Sequence, residues 1–193
     1  MRFASLLSAA PAALWIPAVL GAFTLGTRLA DDGPQPEVLT VSGFAIEHEI
    51  VVPGTPVEIF DAFTGDVRDW WDHHYSEQPV ALVIEPKAGG RFYELFDDEG
   101  NGVTHADVTL SNRGKELIFR GPLGFGAMGV HFDMVHRFTF EAVDGEEAPA
   151  TRVKVTVRGI GEIQEGWDLA VQGVWRHFLS ERFEPHVRSG AHR

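Results

Sequence analysis

The chain has 193 residues, 16 basic against 28 acidic side chains, a formal charge of −12 and no cysteine. That length suits one domain with a short extra segment, and a hydrophobic content of 44% is ample for a core. The missing cysteines exclude disulfides, thiolate metal sites, cysteine nucleophiles and a lipidated N-terminal cysteine, while acidity without a basic patch argues against a nucleic-acid partner.

Taken in chain order, Arg2 precedes 25 uncharged residues, Phe3–Thr27, rich in leucine and alanine. This leader, residues 1–30, reads as a signal peptide or signal anchor and implies membrane association and an exported or membrane-anchored protein of the cell envelope. Pro11 and Pro17 disturb a spanning helix, and without a genuine leader the protein is cytoplasmic. Residues 31–43 form a polar linker.

The body, residues 44–188, opens with a strand whose face carries Phe44, Ile46, His48, Ile50 and Val52. Thr55, Pro56 and Glu58 form a capping box ahead of a helix with Val57, Phe60 and Phe63 on one side. Gly65 stops that helix, and Asp66 is expected to cap a second short helix ending at Trp70–Trp71. Strands follow at Ala81–Pro86, Arg91–Asp97, Val103–Leu110 and Glu116–Arg120, separated by glycine-rich turns. The Gly121–Gly129 stretch lacks the spacing of a phosphate loop and presents Leu123, Phe125 and Met128 as an entrance loop. Phe132–Phe140 alternates cleanly, as does Val153–Val157. A helix from about Glu165 to His186 carries an apolar stripe of Trp167, Val171, Val174, Trp175, Phe178 and Phe183. Residues 189–193 are a tail. The pattern is α+β: an antiparallel sheet of about six to seven strands covered by a long C-terminal helix.

His48 and His136 stand on apolar strand faces, where a neutral imidazole needs a hydrogen-bond partner. Each either orients a ligand, moves protons, or is a satisfied core histidine. Glu94 shares a face with Phe92 and Phe96; if that face is inward, the carboxyl is a candidate general acid. The plainer reading turns Arg91, Tyr93 and Leu95 inward and leaves Glu94 in water. His105 and His131 fall on the surface by alternation. Asp69, Asp72, His73 and His74 invite a metal reading, but no group at matching spacing completes a ligand set, and no metal or cofactor is expected. Trp70, Trp71, Trp167 and Trp175 are wall and core, suiting a flat apolar ligand. No serine lies near a histidine–carboxylate pair.

The PVEIFDAFTGDVRDWW opening, IEPKAGGRFYE at Ile84–Glu94, VTLSNRGKELIF at Val108–Phe119 and the closing GWDLAVQGVWRHFL together resemble the START/polyketide-cyclase-like (SRPBCC) superfamily. Its helix-grip fold is also seen in birch-pollen-type allergens. Within it the chain is most similar to the branch named after activators of a heat-shock ATPase, from which the leader and the Gly121–Gly129 stretch depart. The resemblance implies a curved antiparallel sheet gripping the C-terminal helix around a hydrophobic cavity. It is specific for the fold and not for function; the first reading is a noncatalytic protein that binds a small hydrophobic molecule between sheet and helix, with His48, Trp71, Glu94, Phe125, His136 and Trp175 at the site. The rival is a cyclase- or hydrolase-type enzyme using cavity His and Glu groups. A third reading is a co-chaperone-like protein-interaction domain.

Overall fold

The computed structural model describes residues 38–192 apart from Glu146. The expected leader at 1–30 and most of the linker lie outside the described residues. Among the described residues no helix is long and apolar enough to cross a membrane.

Strand β1 (Ser42–Pro53) leads into helix α1 (Pro56–Phe63). The capping box is formed: the Thr55 hydroxyl accepts from the Glu58 N–H, and the Glu58 carboxylate accepts from the Thr55 N–H at 2.8 Å. Helix α1 buries Ile59, Phe60 and Phe63; Val57, expected on that face, is turned to solvent because the buried arc centres on the other three. The second short helix does not form. Gly65, with φ +81°, swings the chain into a two-residue strand, β2 (Gly65–Asp66), paired with β3 (Ala81–Ile84). The Val67 N–H extends that pairing to the Leu82 carbonyl, and only one turn remains before Trp71.

Strands β4 (Arg91–Leu95), β5 (Gly102–Asn112), β6 (Glu116–Arg120), β7 (Phe132–Ala142) and β8 (Ala150–Gly161) complete one antiparallel sheet. Its order is β1-β8-β7-β6-β5-β4-β3-β2, eight strands where six to seven are expected, the addition being β2. The alternation expected for β7 and β8 holds: Phe132, Met134, His136, Phe138 and Phe140 are buried, as are Val153, Val155 and Val157. On the outer face, Lys154 meets Glu47 at 2.7 Å and Arg152 meets Glu49 at 3.6 Å.

A bulge breaks the pattern in β5. Phe92 pairs with Ala106 and Tyr93 with Thr104, which leaves His105 as the extra residue. His105 and Ala106 are consequently both buried.

The concave face is covered by α2 (Trp167–Arg176), a π-helical stretch His177–Phe183, and α3 (Glu184–Ser189). Phe178 and Phe183 would stand about 140° apart around a regular α-helix. The wider i→i+5 turn brings both onto Trp70, at centroid distances of 6.5 and 5.0 Å.

Candidate functional site

A cavity of about 300 Å³ lies between the sheet and the covering helix. Each wall follows from an element described above. Met134 projects from β7, Val171, Val174 and Trp175 from α2, and Trp71 from the end of the turn after β2. Trp71 stacks on Phe178 with centroids 3.7 Å apart, and its Nε1 donates to the His73 carbonyl at 2.7 Å. The tryptophan therefore holds both the back wall and the chain that forms the rim.

The mouth is framed by His73–Tyr75 on one side and a 3₁₀ helix, Leu123–Met128, on the other. The Tyr75 hydroxyl donates to the Gly124 carbonyl at 2.6 Å and ties the two together. Of the three apolar residues expected at an entrance, Leu123 is buried, Phe125 packs on Trp167 at 4.7 Å, and Met128 is exposed. Leu123 takes φ +49°, a left-handed conformation that costs a branched residue on the order of 1–2 kcal/mol. Burial of its side chain in the cavity wall compensates for that strain.

The polar end is built by Glu94, whose facing the sequence pattern leaves open, and His105, which it places in water. Glu94 is fully buried, on the same inward face as Phe92, so the solvated reading is corrected. Its oxygens accept from the Tyr75 N–H at 2.9 Å and the Ser76 N–H at 2.7 Å, fixing the rim segment from behind. His105, expected on the surface, lines the cavity instead, packed between Tyr75 and Phe92 at 5.8 and 4.8 Å. Its Nε2 lies 3.5 Å from Glu94 Oε2, an ion-pair separation, and makes no hydrogen bond among the described residues. Burial lowers the His105 pKa, and the Glu94 charge opposes that change in part. A buried imidazole–carboxylate pair facing an apolar cavity can accept or donate one hydrogen bond, or relay one proton.

The remaining expected site residues divide. Trp71, Phe125 and Trp175 line the cavity. Glu94 stands one layer behind His105. His136 is fully buried beneath the wall, between Phe119 and Trp175 at 4.9 and 5.4 Å, and neither ring nitrogen has a hydrogen-bond partner among the described residues. Burial pushes its pKa down to about 3; the Phe119 backbone works the other way without meeting either nitrogen in hydrogen-bond geometry. His48 lies away from the cavity, sharing a hydrogen bond of 2.8 Å with Ser180. Its pKa is lowered by burial and by the Arg176 charge, against Glu49.

No protein-family model and no curated protein matches the chain. Solved structures do match. Protein SA2116 from Staphylococcus aureus aligns over 78% of this chain and 96% of its own, at 12% identity and a TM-score of 0.55. Ara h 8.0201 aligns over 77% and 99%, at 16% identity and 0.53. The fold is the helix grip. The Aha1 dimer from Colwellia psychrerythraea aligns over 75% and 96% at 19% identity, but its TM-score of 0.45 is too low to place the chain in that branch.

Proposed function

We propose that this protein binds a small hydrophobic molecule in the cavity between the sheet and the C-terminal helix, as a noncatalytic carrier. One observation carries the reading: an aromatic-walled space of about 300 Å³ that opens at a rim and has His105 as its buried polar contact. Among the described lining residues there is no lysine or arginine, so a neutral ligand with one hydrogen-bonding group fits better than a strong acid. Membership of the START/polyketide-cyclase-like superfamily is part of the same proposal, supported by the fold. Delivery to the cell envelope by the apolar leader is proposed from the sequence alone, and cell fractionation tests it.

The experiment is native mass spectrometry of the purified protein with solvent extraction, followed by titration of tryptophan fluorescence with a lipid and aromatic panel. A co-purifying compound, or saturable quenching of Trp71 and Trp175, supports the carrier. Val174→Phe, which puts a ring into the space, then weakens binding at least about tenfold, 1.4 kcal/mol. A clean apo mass with no response to the panel overturns it.

The Glu94–His105 pair favours a second reading, a cyclase- or hydrolase-type enzyme. There His105→Ala keeps ligand binding within about tenfold and lowers turnover by about a hundredfold or more.

A further inference from the structure

Outside the cavity floor, one cluster gathers side chains from distant parts of the chain. Asp72 and His73 follow the tryptophan pair; His177 opens the π-helical stretch, 105 residues later. His73 Nδ1 lies 2.8 Å from Asp72 Oδ1, and His177 Nε2 lies 2.9 Å from both Asp72 oxygens. All three donor atoms fall within 4.8 Å of one another.

We propose that Asp72, His73 and His177 form a site for one divalent transition-metal ion of the zinc type, at the rim of the cavity. Two imidazoles and one carboxylate are a donor set that such ions take, leaving one position of a tetrahedron open. Metal–ligand bonds of about 2.0–2.1 Å set tetrahedral donors roughly 3.3 Å apart. The two hydrogen-bonded separations open by about half an ångström to reach that spacing, and the two imidazole nitrogens, within 4.8 Å of each other, close on the ion.

The supporting groups are in place. Glu181 Oε2 lies 3.0 Å from His177 Nδ1, so the carboxylate takes the proton-bearing nitrogen and leaves Nε2 for the ion. The His73 backbone is held by Trp71 Nε1, and its ring packs edge-on against Phe178 at 4.9 Å. Arg182 faces the cluster, with Nε 3.2 Å from Asp72 Oδ2. It meets the oxygen that His73 does not, so Oδ1 serves the ion while Oδ2 keeps its guanidinium. Arg176 Nε stands 4.0 Å from Glu181 Oε1, so with neutral imidazoles the two carboxylates and two guanidiniums balance, and the ion is held by its three ligands rather than by a net charge. His73 also lines the cavity, so the site borders it.

The test uses the full chain and the metal alone. Calorimetry with zinc chloride, and cobalt chloride followed by visible absorption, are run near pH 7.5 on the wild type, His73→Ala, His177→Ala and Glu181→Gln. The site predicts one ion per chain, a tetrahedral cobalt spectrum, and loss of both in each alanine variant. Glu181→Gln weakens binding about tenfold, as loss of an orienting partner does. Circular dichroism checks folding, and His177→Gln offers a gentler replacement if the alanine variant unfolds. No saturable binding by the wild type overturns the proposal, and so does binding unchanged in folded His177→Ala or His177→Gln. A carrier that binds its ligand equally with and without zinc leaves this site standing, because the metal is read independently of the cavity.

Discussion

His136 makes the most direct test of how this core is built. Its imidazole is wholly enclosed, neither nitrogen is hydrogen-bonded among the described residues, and its pKa is pushed down to about 3 from an ordinary 6.5. Below pH 6.5 the unfolded chain takes up a proton at this residue and the folded chain does not. The folded state therefore loses stability as pH falls from 6.5 towards 3. Each tenfold difference in proton affinity between the two states is worth about 1.36 kcal/mol, so the full loss is about 5 kcal/mol and the part reached at pH 5 is about 2 kcal/mol. His136→Leu removes the group with little change in volume. It also removes two unpaired polar atoms, so at pH 7.5 the variant should lie within about 1 kcal/mol of the wild type. Urea unfolding followed by far-ultraviolet circular dichroism at pH 7.5, 6 and 5 gives the comparison. Burial also lowers His48 and His105, whereas the Glu181 and Asp72 carboxylates raise His177, and all three remain in both proteins. Wild type should lose about 2 kcal/mol more than the variant between pH 7.5 and 5. Parallel curves would mean that His136 is reached by water or a partner, and the reasoning would be refuted.

Trp175→Ala removes a fully buried ring that touches Phe119, Phe138 and Phe178; it should cost about 3–5 kcal/mol in urea unfolding and abolish probe binding. Glu94→Gln keeps one acceptor oxygen but sets its amide NH₂ against either the Tyr75 or the Ser76 N–H, so about 1–3 kcal/mol of stability should go and protease should cut preferentially at residues 73–76. Gly121→Ala would place a Cβ 2.4 Å from the His105 carbonyl oxygen and 2.6 Å from the Ala106 Cα. The strand must shift, at a cost of about 1–3 kcal/mol, and the His105 imidazole NMR signals should move while those of His131 stay.

The sheet and its cover are legible in the sequence because β7, β8 and the C-terminal stripe obey simple periods. Phe132–Phe140 alternates for nine residues, and no other arrangement buries that face. The polar end of the cavity is hidden by one inserted residue. A period-two reading run across β5 assigns His105 outward, and the bulge opposite Phe92–Tyr93 turns it in. Glu94 is ambiguous for a related reason: β4 is short, and its inward face reveals itself only through the amides of Tyr75 and Ser76, which no pattern in β4 encodes. The second helix is misread because the Asp66 cap signal is local, while the pairing of β2 with β3 depends on a strand some 17 residues away. His177 lies in the expected helix, but its meeting with Asp72 is set by packing across the sheet.

The π-helical stretch has a consequence for how the chain can change. Seven residues wound at the wider pitch act as a spacer between two halves of the covering helix, and each half has its own anchor. The first half presents Val171 and Trp175 to the cavity; the second is fastened to the sheet edge, where Arg188 donates to the Val51 carbonyl at 3.0 Å. Deleting a single residue from the stretch would restore ordinary winding, set Phe178 and Phe183 four apart, and leave everything beyond it close to its present rotation. Val187 would stay in the core and Arg188 near β1, and the cavity wall would keep its place. Point substitutions in Trp167–Arg176 can thus retune what the protein holds without disturbing its attachment, and the wider turn can absorb the loss of one residue, whereas the loss of a second would turn the second half by about 100°.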